Sequence, residues 1–359
     1  MTKEVIIAGA GLAGLTAAIT LKRQGLDVTV IEAKKKIGGE HAYADSSYID
    51  PSDIKRRLGI DISEALEPWP FTRIWAYGMK REIPHPRGVS AFTIERGGGQ
   101  SSLENVMYRQ AVKEGVKVNL GERLSGKALR GLPPGSIIAT GLDIEAFREL
   151  EIPHKPFLGH MATGKGAPQR PGVIVYFDDF CREFGYYFQA RSAAGALVFN
   201  VNTPLSERQK AVFKEKLERQ DGIVFDNWHD RLGDYAAWPL GAWDNRRLFH
   251  GDKILAGTLA GAVSPVLVFG VHGALVSGKI AALAVTDKKA ALDAFSSFMP
   301  WHYYYPQFLF RKMRETFPHR VLSPMIRGVV AAYHPKLFPY LMKFVMEPPG
   351  RSAMRRGLM

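Results

Sequence analysis

The residues with the clearest chemical meaning are three glycines near the start of the chain. Gly9, Gly11 and Gly14 have the spacing G-x-G-x-x-G, and Glu32 follows Gly14 by eighteen positions. In such a turn the first glycine permits a tight bend, the second lets the backbone approach a pyrophosphate, and the third lets a helix pack closely on a strand. An acid at this distance accepts hydrogen bonds from ribose hydroxyls, and its charge repels a 2′-phosphate. These residues predict a dinucleotide site.

The elements that would hold these residues lie on either side of them. An apolar run, Val5 to Ala8, precedes the turn, residues 15–25 have helical composition, and residues 27–31 are typical of a second strand that closes on Glu32. This order puts the phosphates at a helix N-terminus, where unpaired N–H groups and the positive end of the helix dipole favour an anion. Further expected cofactor contacts are Leu12, Ala13 and Ala33.

A glycine pair, Gly38 and Gly39, follows the ribose acid. Together with the glycine turn, the helix and the acid, this pair resembles the N-terminal segment of the large FAD-binding flavoprotein superfamily. The resemblance implies FAD as the cofactor, with Gly38 and Gly39 beside its phosphates. The alternative for the pair alone is a flexible turn after the basic run Lys34 to Lys36.

A second glycine-bearing segment lies at residues 254–282, near the other end of the chain. It resembles the C-terminal flavin segment of geranylgeranyl reductases, in which a strand, a glycine turn, a proline and a helix of small residues follow one another. The resemblance implies that the helix aims its positive N-terminus at the flavin. The same helix motif also resembles the amine oxidase and phytoene desaturase branch. The cofactor contacts implied here are Gly257, Thr258, Gly261 and Gly270.

Two residues in this segment depart from the geranylgeranyl reductase pattern. Thr258 stands where the family has an aspartate, and Val268 stands where the turn has its first glycine. A threonine hydroxyl can still bond a ribityl oxygen, whereas a valine changes the geometry at the ring edge. The placement of the ring and the reaction therefore stay open.

Two stretches between these ends carry further resemblances. Residues 92–120 follow the order strand, Gly-Gln, helix, strand of the para-hydroxybenzoate hydroxylase and geranylgeranyl reductase branch, which implies that Arg96 and Gln100 approach the flavin. The alternative explanation is a helix N-cap at Ser101 or Ser102. The apolar strand at residues 136–138 resembles the strand that rejoins the parallel sheet beside FAD in two-domain flavoproteins. Expected contacts after it are Ala139, Thr140 and Gly141.

The order of these patterns predicts an α/β fold. We expect a two-domain flavoprotein with a Rossmann-like parallel sheet in its FAD domain, an antiparallel β-sheet substrate domain and a C-terminal helical segment. Short runs of β-branched and aromatic residues separated by turn residues indicate the antiparallel sheet. The expected divisions are a discontinuous FAD domain at 1–68, 93–150 and 240–290, a substrate domain at 69–92 and 151–239, and a basic helical cap or membrane-surface segment at 291–359.

Composition narrows the class of protein. The 359 residues are 46% hydrophobic and 23% charged, as in an ordinary globular protein. The one cysteine, Cys181, excludes an internal disulfide framework and a cysteine-rich metal site, and it fits a reducing compartment. The sequence has neither a signal-peptide pattern nor a run of about eighteen apolar residues. We therefore expect a cytoplasmic protein that holds no metal and has no membrane-spanning helix.

The positive charge of the chain is concentrated at one end. Of the net charge of +13, residues 301–359 carry ten Lys/Arg and two Asp/Glu, or +8, which leaves +5 for residues 1–300. Basic residues interleaved with aromatic and aliphatic ones suit an anionic membrane surface, here on the inner face of the membrane. The alternative is a helical cap over the substrate cavity. Nucleic acid is disfavoured because no nucleic-acid-binding motif accompanies the charge.

The leading functional hypothesis is an FAD-dependent oxidoreductase similar to geranylgeranyl reductases. The resemblance implies reduction of a carbon–carbon double bond in an apolar isoprenoid or lipid-like substrate, with NAD(P)H or a ferredoxin-like protein as the electron donor. The alternatives are a flavin-dependent hydroxylase, a desaturase or amine oxidase-type oxidase, and a non-catalytic flavin-binding protein at a membrane. Reduction also needs a proton donor. The candidates are Tyr186, Tyr187, His160 and His272.

Overall fold

The computed structural model describes residues 4–47, 49–85, 91–166, 172–181, 183–201, 203–236, 247–263, 269–303, 313–314 and 316–333. Its strands are β1 (Val5–Ala8), β2 (Val28–Glu32), β3 (Ala42–Ser47), β4 (Leu66–Pro68), β5 (Phe71–Ala76), β6 (Met79–Pro84), β7 (Phe92–Gly97), β8 (Lys117–Leu120), β9 (Ile137–Ile138), β10 (His154–Gly164), β11 (Val173–Phe177), β12 (Gly185–Gln189), β13 (Ala194–Val201), β14 (Trp228–Ala236), β15 (Phe249–His250) and β16 (Lys253–Leu255). Its helices are α1 (Leu12–Arg23), α2 (Pro51–Leu58), α3 (Leu103–Lys113), α4 (Lys127–Arg130), α5 (Ile144–Glu149), α6 (Glu207–Asp221), α7 (Val271–Thr286), α8 (Lys288–Tyr303) and α9 (His319–Ala331), with a 3₁₀ turn at Ser63–Ala65.

A six-stranded sheet carries the N-terminal glycine turn. Its order is β15-β16-β9-β1-β2-β8, and every neighbouring pair is parallel except the short β15–β16 hairpin. The side chains of Ile7 and Val30 are fully buried, because helices cover a parallel sheet on both faces and its strands become continuously apolar. The glycine turn leaves the carboxyl end of the central strand β1, where ligands bind in this class of sheet. The Rossmann-like sheet predicted from the sequence is confirmed.

A seven-stranded sheet forms the second layer, in the order β14-β10-β13-β12-β11-β5-β6. It is antiparallel, as predicted, except that β5 and β11 run parallel. These two strands lie far apart in the chain, and only a long crossover connection can join parallel neighbours. A small third sheet, β3-β7-β4, lies between the two layers, with β3 in contact with β10, β12 and β13.

The two faces of the seven-stranded sheet have different neighbours, because successive side chains of a strand point to opposite faces. On the outer face, Tyr176 and Tyr187 pack with Phe213 and Leu217 of α6. On the inner face, Phe157, Phe184, Tyr186, Phe188 and Phe199 form a second cluster with Val263. The inner face is the one that turns toward the glycine-rich segments.

Helices α1 and α7 pack together so closely that only glycine fits at their crossing. A Cβ added to Gly278 would lie within 3.0 Å of the carbonyl oxygen of Ala13 and of the Cβ of Thr16. This contact joins the N-terminal glycine segment to the C-terminal one, although they are more than 250 residues apart. Two helix N-termini are thereby brought to one edge of the parallel sheet.

We expect Gly278→Ala to destabilise the protein by about 1–3 kcal/mol, because the added methyl must push two backbones apart. Urea unfolding measures the change in the free energy of unfolding. The matched control is Gly328→Ala in α9, where an added Cβ meets nothing within 4 Å. There the substitution is expected to stabilise the helix by up to about 1 kcal/mol. Equal effects at the two glycines would contradict the packing argument.

Within the described residues, no helix is both long enough and apolar enough to span a bilayer. The same residues contain no group of three His, Cys, Asp or Glu side chains placed to hold a metal ion. Helices α8 and α9 provide the C-terminal helical segment expected from the sequence.

Candidate functional site

A cavity of about 920 Å³ lies between the carboxyl ends of the parallel strands and the inner face of the seven-stranded sheet. Both glycine-bearing segments line it, so the two ends of the chain enclose one site. Most of the predicted cofactor contacts line this cavity: Gly9, Gly11, Leu12, Ala13, Glu32, Gly38, Gly39, Arg96, Ala139, Thr140, Gly141, Gly257, Thr258 and Gly270.

The N-terminus of α1 forms one end of the cavity. Gly11 is its N-cap, with φ −76°, and neither a side-chain cap nor an acidic residue in the first turn occupies the N–H groups of the helix. A Cβ added to Gly11 would meet nothing within 4 Å, whereas one added to Gly9 (φ +102°) would lie 2.5 Å from the carbonyl oxygen of Ala139. The turn is therefore tight at Gly9 and open toward the cavity at Gly11, as a bound pyrophosphate requires.

The N-terminus of α7 faces the same cavity. Its N-cap, Gly270, also has no side-chain cap, and the first turn contains no acid. The Ser277 hydroxyl accepts a hydrogen bond from the Gly257 backbone N–H at 2.9 Å, which fixes the loop after β16 to the helix. A second positive helix end is therefore available to stabilise negative charge on a ligand.

Glu32 joins the glycine turn to the end of β2. Its Oε2 accepts a hydrogen bond from the Ala10 N–H at 2.8 Å, and its Oε1 accepts one from the Lys34 N–H at 2.9 Å. Each carboxylate oxygen can accept a second bond. The side chain is therefore held in place by the backbone and keeps acceptor capacity for the ribose hydroxyls.

The fold shows a close backbone contact at the glycine pair Gly38–Gly39 that is not evident from the sequence. A Cβ on Gly38 (φ +74°) would lie within 3.0 Å of the carbonyl of Gly97, and one on Gly98 would lie equally close to the carbonyl of Gly39. Two backbone segments therefore touch here. The run of glycines at residues 97–99 is needed for this approach, which holds the 38–39 loop against the cavity.

Arg96 belongs to a charged cluster at the cavity wall that sequence reasoning missed. Its guanidinium lies 3.1 Å from Asp45 Oδ2 and 2.8 Å from Glu104 Oε1. The ring of Tyr43 lies between two guanidinium groups, at 5.9 Å from Arg96 and 5.4 Å from Arg231. Strand β3 supplies Asp45, and helix α3 supplies Glu104. Because Asp45 reaches Arg96 through the pairing of β3 with β7, the cluster could be found only once that pairing was known.

Asp45 is one of the two carboxyl groups of this cluster, together with Glu104. Burial raises its pKa above the ordinary value of 3.8, and the charge of Arg96 opposes that rise. The folded protein therefore holds this proton more tightly than the unfolded chain does. Protonation of Asp45 contributes its full amount to the free energy of unfolding below pH 3.8, and this contribution is lost as the pH rises through the pKa of Asp45 in the folded protein.

We expect the wild-type protein to lose stability relative to Asp45→Asn as the pH rises above about 4, because the variant lacks this titration. Urea unfolding at a series of pH values measures the difference between their free energies of unfolding. A difference that is constant over pH would contradict the assignment.

Some predicted cofactor residues do not line the cavity. Gly14 has the packing role that the sequence predicted: a Cβ there would lie within 3.0 Å of the Gly9 carbonyl oxygen and 3.4 Å from the side chain of Ile7 in β1. Gln100 is exposed, and its carbonyl accepts a hydrogen bond from Arg109 at 2.7 Å. The alternative of a helix N-cap is confirmed at Ser102, whose hydroxyl accepts from the Asn105 N–H. The residues outside the lining are Gly14, Ala33, Gln100 and Gly261, and Val268 lies outside the described residues.

The four candidate proton donors lie in different surroundings, and Tyr186 is the one that lines the cavity. Tyr186 lines the cavity, whereas Tyr187 points to the outer face and donates its hydroxyl to Gln189 Oε1 at 2.6 Å. His160 also lies outside the lining, with Nδ1 2.7 Å from Asp230 Oδ1 and its ring stacked on Trp228. His272 packs its ring edge against Phe298 of α8.

The Tyr186 hydroxyl is buried and has no hydrogen-bond partner within the part of the chain that the structure describes. Its ring is stacked on Phe188 at 5.2 Å and lies 5.9 Å from Phe269. Burial raises its pKa well above 10.0, against the opposing charge of Arg314, so the proton stays on the hydroxyl at neutral pH. Since a buried hydroxyl without a partner is costly, its retention here suggests a partner that arrives with a ligand.

The cavity residues fit FAD. The open backbone at Gly11, the acid Glu32 and two uncapped helix ends suit the pyrophosphate, the ribose and a flavin that carries negative charge when reduced. In addition, the buried Thr140 hydroxyl lines the cavity, has no partner among the described residues and can bond a ligand oxygen.

The fold and this site define a dinucleotide-binding flavoprotein. Residues 4–67 match the FAD binding domain family. This match and the lining of the cavity identify the cofactor of the chain as FAD.

Comparison with known proteins finds likeness of sequence over part of the chain and likeness of fold over nearly all of it. Lysine-specific histone demethylase 1 homolog 3 of Arabidopsis thaliana is 52% identical over 65 residues, which are 18% of this chain and 4% of that protein. A geranylgeranyl bacteriochlorophyll reductase-like structure from Thermoplasma acidophilum has a TM-score of 0.65 at 13% identity, covering 100% of this chain and 99% of that one. p-Nitrophenol 4-monooxygenase PnpA from Pseudomonas putida DLL-E4 has a TM-score of 0.61 at 14% identity, covering 96% and 97%.

The sequence matches cover only a small part of the curated relatives, and the structural matches have low sequence identity. The chain spans 4%, 26% and 25% of the length of the first curated relatives it matches. The structures, at 13% and 14% identity, share the fold.

Proposed function

We propose that the protein is an FAD-dependent reductase that adds hydrogen across a carbon–carbon double bond of an apolar isoprenoid or lipid-like substrate. The observation that carries the proposal is the unpartnered, buried hydroxyl of Tyr186 in an aromatic wall of the cofactor cavity. The reductase-like neighbour of the same fold supports it.

The inner wall of the cavity is suited to an apolar chain. It presents large apolar side chains from three strands of the seven-stranded sheet and from the loop before α7, so that burial of a hydrocarbon there is favourable. They are Phe157, Met161, Phe188, Leu197, Val263 and Phe269.

The proposed reaction assigns one task to the protein's own acid. FAD, when bound at this site and reduced, would supply a hydride for one carbon of the double bond. The Tyr186 hydroxyl donates its proton to the other carbon, so that the substrate gains two hydrogen atoms and the tyrosine is reprotonated from solvent. The apolar wall excludes water during this transfer. NAD(P)H or a ferredoxin-like protein is the electron donor that we propose for the return of the flavin to its reduced state.

A second candidate is a flavin-dependent hydroxylase. His229 and Arg231 of β14 also line the cavity, and the Arg231 guanidinium can bind a phenolate or carboxylate. The shared fold of p-nitrophenol 4-monooxygenase PnpA is compatible with this alternative. The two candidates differ in whether oxygen is consumed.

An anaerobic reoxidation experiment separates them. The FAD-loaded protein is reduced with dithionite and mixed with a geranylgeranyl lipid, or with its fully saturated analogue as the control. We expect the flavin absorbance to recover with the unsaturated lipid alone, and mass spectrometry to show a product with two added hydrogens. No recovery until oxygen is admitted, with an oxygenated product, would overturn the reductase and support the hydroxylase.

A further inference from the structure

Helix α9 is apolar on two faces, of which the fold uses only one. Leu322, Ile326 and Val330 are buried against Ala76 of β5, in a cluster that also includes Phe177 of β11. These positions repeat every fourth residue, so they form one stripe along the helix. The helix is thereby fixed on the inner face of the seven-stranded sheet.

A second apolar stripe runs beside the buried one and faces solvent. Phe317, Val321, Met325 and Val329 are 44%, 37%, 45% and 68% exposed. Three of them precede the buried residues by one position, which is about 100° around the helix. We refer to these four residues as the α9 stripe. A contiguous apolar stripe of this kind on a protein surface indicates an interaction site.

The surroundings of the α9 stripe are basic. Helix α9 contains no Asp or Glu, and its Arg320 and Arg327 are exposed. Arg81 is exposed on the edge strand β6, and its guanidinium donates to the Tyr333 carbonyl just beyond α9. An apolar stripe flanked by cations is complementary to a bilayer surface whose acyl chains lie beneath anionic headgroups.

We infer that the α9 stripe docks this protein on the surface of a bilayer that contains anionic phospholipids. The helix lies in the plane of the interface, with the stripe toward the acyl chains and its arginines among the headgroups. A helix in this position attaches a protein to the bilayer surface without crossing it.

The location of α9 connects docking with the cofactor cavity. Phe177 packs both against the α9 cluster and against the cluster that contains Tyr186. Helix α9 and the aromatic cavity wall therefore lie on the same face of one sheet. Docking does not depend on the proposed reaction, but under that proposal it would bring the aromatic wall near a source of apolar substrate.

Vesicle co-sedimentation tests the inference with the FAD-loaded protein. The vesicles are phosphatidylcholine alone, or phosphatidylcholine with about 30% phosphatidylglycerol as the anionic lipid. We expect binding to the anionic vesicles, and a partition coefficient about tenfold lower for Met325→Gln/Val329→Gln, because less apolar surface enters the interface. The matched control is Val112→Gln/Val224→Gln, which replaces exposed side chains (49% and 64%) elsewhere and should bind as the wild type does.

A second variant tests the charge. Arg320→Gln/Arg327→Gln is expected to lower binding to the anionic vesicles about tenfold and to leave binding to phosphatidylcholine unchanged. Equal binding of the wild type and the stripe variant, or equal binding to both vesicles, would overturn the inference. A third result would also overturn it: the wild type does not bind vesicles and is a dimer in light scattering, whereas the stripe variant is a monomer. The α9 stripe would then contact a second copy of the chain.

Discussion

Gly11→Val is expected to fold normally and to lose FAD affinity by about a hundredfold or more. A Cβ at this position meets no atom within 4 Å, and the residue has φ −76°, which any residue can adopt. The valine therefore fits the protein but occupies the place of the pyrophosphate. Two charge-assisted hydrogen bonds from the α1 N-terminus are each worth about 1.5–3 kcal/mol, and their loss gives the stated factor.

Two measurements separate this effect from misfolding. Fluorescence titration of the apoprotein with FAD gives the affinity, and urea unfolding of the apoprotein gives the stability. Gly328→Val is the matched control, because that glycine also has open space around it. It should bind FAD as the wild type does. Tight FAD binding by Gly11→Val would show that the phosphates do not lie at this turn.

The part of the site nearest the N-terminus could be predicted because its chemistry is local in sequence. These residues belong to one strand, one turn and the next strand. Gly9 has a backbone conformation that favours glycine, Gly11 leaves space for the pyrophosphate, and Glu32 provides carboxylate acceptors. The approach of the distant Gly257–Gly270 segment was predicted by resemblance to known flavoproteins. The structure supplies its physical cause, which is the glycine contact between α1 and α7.

The remaining parts depend on strand pairing, which no single segment encodes. The acids beside Arg96 come from β3 and α3, and Arg231 comes from β14. The cluster therefore forms only when these three elements come together around Arg96. In the same way, Tyr186 and Tyr187 have nearly identical local sequences. Which of them faces the cavity depends on the register of β12 against β13, because a shift by one residue exchanges the two faces.

The register of β12 leads to the second large effect. Tyr186→Phe is expected to lower the rate at which a geranylgeranyl lipid reoxidises the reduced flavin by about a hundredfold, as for the loss of a general acid. FAD binding should be almost unchanged, and the variant should be at least as stable as the wild type, since the buried hydroxyl that is removed has no partner among the described residues. Stopped-flow absorbance under anaerobic conditions measures the rate.

Tyr187→Phe is the matched control, because Tyr187 lies next to Tyr186 but on the opposite face of β12. It deletes the same atom from the neighbouring residue, but there the hydroxyl donates to Gln189 Oε1 on the outer face. The expected outcome is the reverse of that for Tyr186→Phe: a loss of stability of about 1 kcal/mol and an unchanged reoxidation rate. If both variants slowed the reaction equally, the effect would come from packing, and the proton would have to come from another group.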